Sequence, residues 1–178
     1  DVDRADKYGD TALMIASVSN RVDCVIALLD KADVDRASNG WTALMLASHH
    51  GHVECVRALL EKADVDWATK DGLTALMSAS WKGHVECVRL LLDNNADVDR
   101  ANNDGDTALM NASENGHVDC VRALLEAGAT DDDGRAMIQA SQSQNGHAAV
   151  LELLIQAVKP KDFAMAALQW SAVSCAKV

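Results

Sequence analysis

A chain of 178 residues with a formal net charge of −11 has the size of a single domain. The negative charge argues against nucleic acid or an anionic membrane surface as a partner, because phosphate contacts need clustered Lys and Arg. The sequence contains no signal peptide and no run of 18 apolar residues, so nothing in it directs the chain to a membrane or to secretion.

Self-similarity with a period close to 33 residues organises the chain. Versions of the segment Thr107-Ala-Leu-Met-Asn-Ala-Ser-Glu-Asn-Gly-His-Val-Asp-Cys-Val-Arg-Ala-Leu-Leu125 begin at Thr11, Thr42 and Thr74. Such a period is typical of stacked repeat arrays. Within a unit, a short apolar run ends at a Gly-His step, and Val-x-Cys-Val-x-x-Leu-Leu follows at helical spacing. Each unit is predicted to be two short helices and a polar loop, and neighbouring units must stack to form a core.

The first predicted element is a tail, because residues 1–5 repeat the sequence of 97–101, which closes a unit. Two explanations fit, a piece of a longer array or a natural start without a dedicated cap, and we favour the longer array. The predicted boundaries are 1–5 for the tail of a preceding unit, about 6–37, 38–68, 69–101, 102–130 and 131–159 for five repeats, and 160–178 for a C-terminal capping helix.

Three units depart from the repeat. Asn20 replaces the glycine of the Gly-His step in unit one, and Asn tolerates a left-handed backbone. Unit two has the shortest loop. Units one and two are also one residue shorter after the second helix than unit three, so a tightened helix end or slightly shifted loops are expected there. In unit five Arg135 replaces the threonine, and Asp162 is predicted to cap the final helix after the break at Pro160.

The pattern Asp-x-x-Gly-x-Thr-Ala-Leu-Met-x-Ala-Ser-x-x-Gly-His-Val-x-Cys-Val-x-x-Leu-Leu resembles the ankyrin repeat over nearly the whole chain. The resemblance implies an all-α fold, an ankyrin-repeat α-solenoid of helix-turn-helix units joined by β-hairpin-like loops. The family usually has Thr-Pro-Leu-His where this chain has Thr-Ala-Leu-Met. The threonine can still cap the first helix. We interpret the methionines as apolar filler between units, at Met14, Met45, Met77 and Met110.

The cysteines are predicted to be buried and unpaired. Four of them occupy one slot of successive second helices, at Cys24, Cys55, Cys87 and Cys120. Stacked helices lie roughly 8–10 Å apart, whereas a disulfide needs Cα atoms within about 7 Å. Free thiols favour a reducing compartment, so we expect an intracellular, cytoplasmic protein. Cys175 lies outside this row and is expected at the surface.

Catalysis, cofactors and metals are not predicted. His52, His84, His117 and His147 recur once per unit, which indicates a structural role rather than a single catalytic base. His49 and His50 invite a metal hypothesis, but adjacent helical side chains point about 100° apart. The run 131–133 lacks the frame of a calcium-binding loop and is interpreted as a solvated turn. Phosphate-binding, nucleophile-elbow and paired-cysteine motifs are absent from the sequence.

Positions that differ between units are the candidate binding residues. In the ankyrin architecture they fall on loop tips and on the first helices that line the concave side, so the resemblance implies that they face a partner. The predicted contact residues are Tyr8, Asp10, Trp41, His49, His50, Trp67, Leu73, Ser78, Trp81, Lys82, Asp106, Asn111 and Glu114. Because Trp and Tyr are enriched in interface hot spots, we expect the site to be centred on units two and three. Its predicted middle is formed by Trp41, His49, His50, Leu73, Trp81 and Lys82. The alternative for Trp41 and Trp67 is packing against adjacent loops.

The predicted function is non-catalytic recognition of another protein through the concave face and loop tips, by a chain that is itself monomeric. The negative charge is compatible with a partner that has a basic or mixed surface. Two alternatives stay open. The uncovered first unit could make the chain a structural, weakly self-associating array, or the chain could be a regulatory segment of a larger protein, including an enzyme.

Overall fold

The computed structural model describes residues 1–142 and 147–157, which contain ten α-helices. In chain order they are α1 (Ala12–Val18), α2 (Val22–Leu29), α3 (Ala43–His49), α4 (Val53–Leu59), α5 (Ala75–Lys82), α6 (Val85–Asp93), α7 (Ala108–Glu114), α8 (Val118–Glu126), α9 (Arg135–Gln142) and α10 (Ala148–Ala157). The longest has 10 residues, half of what a bilayer requires, so no helix in the described part of the chain can cross a membrane. The predicted capping helix at 160–178 and Cys175 lie outside the described residues.

The helices stack in two rows. The first helices of the units, α1, α3, α5, α7 and α9, each pack against the next, and the second helices, α2, α4, α6, α8 and α10, do the same. Each first helix also packs against the second helix of its own unit. This arrangement confirms the predicted all-α solenoid. Of the two expectations for units one and two, the helices follow the first, since α2 and α4 have 8 and 7 residues whereas α6 and α8 each have 9.

The threonines begin the first helices as predicted. In units one to four the threonine hydroxyl accepts a hydrogen bond from the backbone N–H of the methionine three residues later, at 3.3–3.4 Å. All four of these methionines are buried. Unit five has no such threonine. There the carboxylate of Asp131 accepts from the N–H groups of Ala136 and Met137, at 2.9 and 3.2 Å. Asp131 is therefore a helix cap, whereas Asp132 and Asp133 form the exposed turn predicted for this run.

Three of the four cysteines in this row are buried. Cys55, Cys87 and Cys120 are buried and unpaired, and burial raises the pKa of Cys87 and of Cys120 to about 11. Cys24 is exposed, contrary to the prediction. The reason is its place in the stack, because no helix pair in the described residues covers the outer side of α1 and α2. Ile15, on α1, is exposed on the same unit.

A ladder of carboxylates joins the loops of neighbouring units. The second aspartate of each Asp-Val-Asp segment accepts a hydrogen bond from a backbone N–H of the following unit, at 2.9–3.0 Å. The acceptors are Asp3, Asp35, Asp66 and Asp99. These bonds repeat once per unit, so they set the spacing of the loops that carry several of the candidate binding residues.

A row of buried serines offers a test of polar burial in the first helices. The Ser17 hydroxyl donates to the carbonyl oxygen of Leu13 at 2.8 Å, whereas the equivalent hydroxyl of Ser80 is buried without a hydrogen-bond partner. Burying an unpaired hydroxyl costs free energy. We expect Ser80→Ala to leave the array more stable than Ser17→Ala does, by about 1 kcal/mol. Urea unfolding of the two variants measures the difference, and equal free energies of unfolding would contradict it.

Candidate functional site

The predicted contact residues lie on the hairpin-like loops and on the first helices, with Trp67 at the base of a loop. The loops close by backbone hydrogen bonds such as Thr69 N–H to the Leu73 carbonyl, at 3.0 Å. Unit two has the tightest loop, in which Ser38 and Trp41 exchange two backbone hydrogen bonds of 3.0 and 2.9 Å. This exchange holds Trp41 directly before the helix cap Thr42, so its position relative to α3 is well defined.

Units two and three bring five rings together. We call Trp41, His49, His50, His52 and Trp81 the aromatic–histidine cluster. The ring of His49 lies at its centre, 5.4 Å from Trp41 in an edge-to-face arrangement and 6.0 Å from Trp81 in a tilted one, measured between ring centroids. His50 is 5.2 Å from His49 and stacks on His52 at 5.7 Å. Four of the predicted contact residues are thus assembled into one patch.

His49 is held in place from two sides. Its Nδ1 shares a hydrogen bond with the hydroxyl of Ser78 at 3.0 Å, and its backbone carbonyl accepts a hydrogen bond from Nε2 of His84 at 3.1 Å. Ser78 is only 2% exposed, so it is not the open contact residue that the sequence suggested. The physical reason is the stacking of α3 on α5, which places Ser78 beneath His49. Ser78 positions His49.

His49 and His84, which is hydrogen-bonded to the His49 carbonyl, both favour the neutral form. Burial is the main cause that lowers the pKa of His49, and the charges of Lys82, His50 and His84 lower it further. Burial also lowers the pKa of His84, against the opposing effect of its hydrogen bond to the His49 carbonyl. At neutral pH these two rings are therefore uncharged amphipathic groups.

The repeated histidines are structural, as predicted, and they have a specific target. Nε2 of His52, His117 and His147 donates to the carbonyl oxygens of Val18, Trp81 and Glu114, at 2.9, 3.0 and 3.0 Å. These carbonyls, with that of His49, belong to one variable position of successive first helices. Units three, four and five therefore each fix the backbone under a predicted contact residue of the preceding unit, at His49, Trp81 and Glu114. Sequence reasoning missed this link, because the partners are 33 to 36 residues apart.

The exposed rings of the cluster are those of Trp81 and His50. Trp81 is 45% exposed, and the ammonium of Lys82 lies 4.3 Å from the centre of its ring. His50 is exposed as well, whereas Trp41 is half-buried. The patch thus offers an open indole with a cation above one face, beside an exposed imidazole.

The other predicted contact residues lie elsewhere. Tyr8, on the loop of unit one, is 67% exposed with Lys7 Nζ 4.7 Å from its ring centre, and Asp10 follows on the same loop. Trp67 and Leu73 are half-buried and pack against the core. The indole N–H of Trp67 is buried without a hydrogen-bond partner, an environment that favours the alternative of packing against adjacent loops.

Unit four carries three predicted contact residues. Asp106 forms an ion pair of 2.8 Å with Arg135 of unit five. Asn111 is half-buried, and its carbonyl accepts from the side chain of Asn115 at 2.9 Å. Glu114 is exposed. Within residues 1–142 and 147–157, no three His, Cys, Asp or Glu side chains are arranged to hold a metal ion.

The second-helix side has a groove of mixed polarity that sequence reasoning missed. It lies between α2 and α4 and has a volume of about 270 Å³. Its lining combines apolar Val22, Ile26, Leu29 and Ala58 with charged Asp30, Glu54, Arg57, Glu61 and Lys62. Ile26 is 56% exposed, at a position where units two, three and four have arginine. Comparing equivalent positions of the second helices would have identified Ile26 as an apolar residue at a position that is otherwise charged.

Three family models match the chain. One described as ankyrin repeats in three copies matches residues 32–102, one described as ankyrin repeats in many copies matches 82–125, and one for a single ankyrin repeat matches 8–38. Among curated proteins, none matches the chain significantly.

Proposed function

Because this chain belongs to the ankyrin-repeat family, whose arrays are in general protein–protein interaction modules, we propose that it binds another protein through the aromatic–histidine cluster. The interaction is non-catalytic, and the partner is occluded or scaffolded rather than chemically changed. The buried free thiols of Cys55, Cys87 and Cys120 support a reducing compartment, the cytoplasm, as the place of this interaction.

The observation that carries the proposal is the exposed indole of Trp81 on a cluster whose backbone is held by the repeated histidines. The carbonyl groups of His49 and Trp81 are both anchored by hydrogen bonds from the next unit. A rigid aromatic surface gives a partner a large contact area at a small loss of conformational entropy. Neutral His49 adds apolar surface with one ring nitrogen engaged by Ser78.

The double variant Trp41→Ala/Trp81→Ala tests this site. We expect partner affinity to fall by about 30-fold or more, the size of a hot-spot loss. The partner is first captured from a native lysate with the unmodified chain, and its affinity is then measured by calorimetry. The matched control is Arg57→Ala/Arg89→Ala, which changes two exposed side chains of second helices. Equal affinity for the Trp variant and the unmodified chain would exclude the cluster as the binding site.

Self-association is a second candidate function, favoured by the apolar surface of unit one. Ile15, Val18 and Ile26 are all exposed there. Burial of such surface against another chain is favourable. Sedimentation velocity at increasing protein concentration tests it. A sedimentation coefficient that rises with concentration, and no longer rises in Ile15→Ser/Ile26→Ser, would support self-association, and a constant coefficient would exclude it.

A further inference from the structure

The negative charge of the chain is unevenly distributed. The sequence has 27 Asp and Glu residues, yet the five first helices contain a single carboxylate, that of Glu114. We call the surface formed by α1, α3, α5, α7 and α9 the first-helix face. In the described part of the chain, the other acidic residues lie on second helices and in the segments between helices. The net charge of −11 therefore says little about the charge of the first-helix face.

At the aromatic–histidine cluster the charged and titratable groups are cationic or neutral. Lys82 ends α5, His50 follows α3, and His52 and His84 precede α4 and α6. Helix α1, which packs against α3, contributes no charged residue. The charges that lower the pKa of His49 all come from Lys82 and neighbouring histidines.

Carboxylates border this surface on α7 and at the loops. Glu114 is exposed on α7, at the position that Trp81 occupies on α5. Asp10 and Asp71 lie on the loops of units one and three, and Asp106 on that of unit four is engaged by Arg135. Helices α3 and α5 themselves contain no carboxylate, so a partner that reaches Trp81 within units two and three meets the exposed side chains of Lys82 and His50.

We propose that the aromatic–histidine cluster, together with Lys82, binds a segment of a partner protein that presents an acidic side chain next to a large apolar side chain. The proposal rests on the proposed function and specifies its partner. The apolar side chain packs on the exposed ring of Trp81, and the carboxylate pairs with the ammonium of Lys82 and the imidazole of His50.

The alternatives fit the surface less well. A basic segment would have to approach Trp81 past the ammonium of Lys82, which already lies 4.3 Å from the ring centre. Like charges at an interface oppose binding. A purely apolar segment would remove the ammonium from water without supplying a partner for it, which is unfavourable. A carboxylate beside an apolar group supplies a counter-ion for the Lys82 ammonium and an apolar contact for the Trp81 ring.

A peptide-display selection tests the partner chemistry. The immobilised chain is used to select from a library of random 15-residue peptides, and the composition of the enriched peptides is compared with that obtained on Trp41→Ala/Trp81→Ala. We expect enrichment of peptides in which Asp or Glu lies beside Phe, Leu or Trp, no such enrichment on the Trp variant, and weaker retention as salt is raised.

Two charge variants sharpen the test. Lys82→Glu and Lys31→Glu each exchange one exposed lysine for glutamate, so they change the net charge equally, but Lys31 lies after α2. We expect Lys82→Glu to reduce retention of the acidic peptides at least tenfold, and Lys31→Glu to leave it within twofold. Circular dichroism checks that both variants are folded. Equal losses in the two variants would overturn the proposal, because net charge rather than Lys82 would then determine binding.

The outcomes separate this inference from the proposed function. Enrichment of basic or uncharged peptides that is lost on the Trp variant would overturn the acidic–apolar partner and leave the binding site at the cluster intact. The same peptides enriched on both proteins, or none enriched on either, would overturn the site and the inference together.

Discussion

Replacing Gly83 with alanine is expected to destabilise the array by about 3 kcal/mol. Gly83 has a φ of +77°, and a Cβ atom added there would lie 2.5 Å from Nδ1 of His117. The His117 ring cannot move away freely, because its Nε2 donates to the carbonyl of Trp81. The substitution therefore combines backbone strain with a clash against a ring that is held in place. Urea unfolding followed by circular dichroism measures the loss.

Gly128→Ala is the matched control for this prediction. Gly128 also has a positive φ, +97°, but a Cβ atom there would meet nothing within 4 Å. Its substitution should cost only the backbone strain, about 1 kcal/mol. In unit one Asn20 takes the place of the glycine at a φ of 53°, and His52 still reaches the Val18 carbonyl. Asn tolerates a left-handed backbone better than Ala but carries the same Cβ atom, so we expect Gly83→Asn to lower only the backbone strain and to cost less than Gly83→Ala. Equal losses for Gly83→Ala and Gly128→Ala would contradict the role of the histidine ring.

Arg135→Ala is expected to destabilise unit five by about 2 kcal/mol. The guanidinium donates to the carbonyl oxygen of Gly105 at 2.7 Å and to the carboxylate of Asp106 at 2.8 Å, so one side chain joins α9 to the loop of unit four. Its removal leaves both acceptors without their charged donor. Hydrogen exchange of the α9 and α10 amides measures the effect, because the loss is expected to be local.

Two comparison variants test whether the loss is specific to the hydrogen bonds of Arg135 with Gly105 and Asp106. Arg57→Ala removes an arginine that forms only an exposed ion pair of 3.5 Å with Glu54, and it should change stability by less than about 0.5 kcal/mol. Arg135→Lys retains the charge but cannot reach both acceptors with the same geometry, so it should recover only part of the protection. Unchanged exchange of α9 amides in Arg135→Ala would show that the helix is held by its apolar contacts alone.

These effects bear on the binding surface as well as on stability. Gly83 and His117 together support the carbonyl of Trp81, and Arg135 holds Asp106, a predicted contact residue. A variant that loosens either contact should weaken partner binding without touching the partner. Binding studies of the Trp variants therefore need the unfolding measurements beside them.

The sequence by itself determined the parts of this protein that repeat. The period, the helix pairs, the threonine caps and the buried methionines depend on contacts within a unit or between identical slots, so they recur and can be read by comparing units. The structural role of the repeated histidines could be predicted for the same reason. The sequence also predicted that Trp41, His49, His50, Trp81 and Lys82 gather at units two and three, since variable residues at equivalent positions of adjacent units must lie side by side. It placed Leu73 with them, whereas the structure packs Leu73 against the core.

The tertiary structure decided what occurs only once. It placed Ser78 beneath His49, left Cys24 uncovered, buried the indole N–H of Trp67, and made Arg135 a clamp on the preceding loop. Each of these depends on which residue of one unit meets which residue of the next. The charge of the proposed binding surface also depends on how the units stack. A net charge sums over the whole chain, whereas a partner meets one face, and only the stacking of the helices separates the nearly carboxylate-free first-helix face from the acidic remainder.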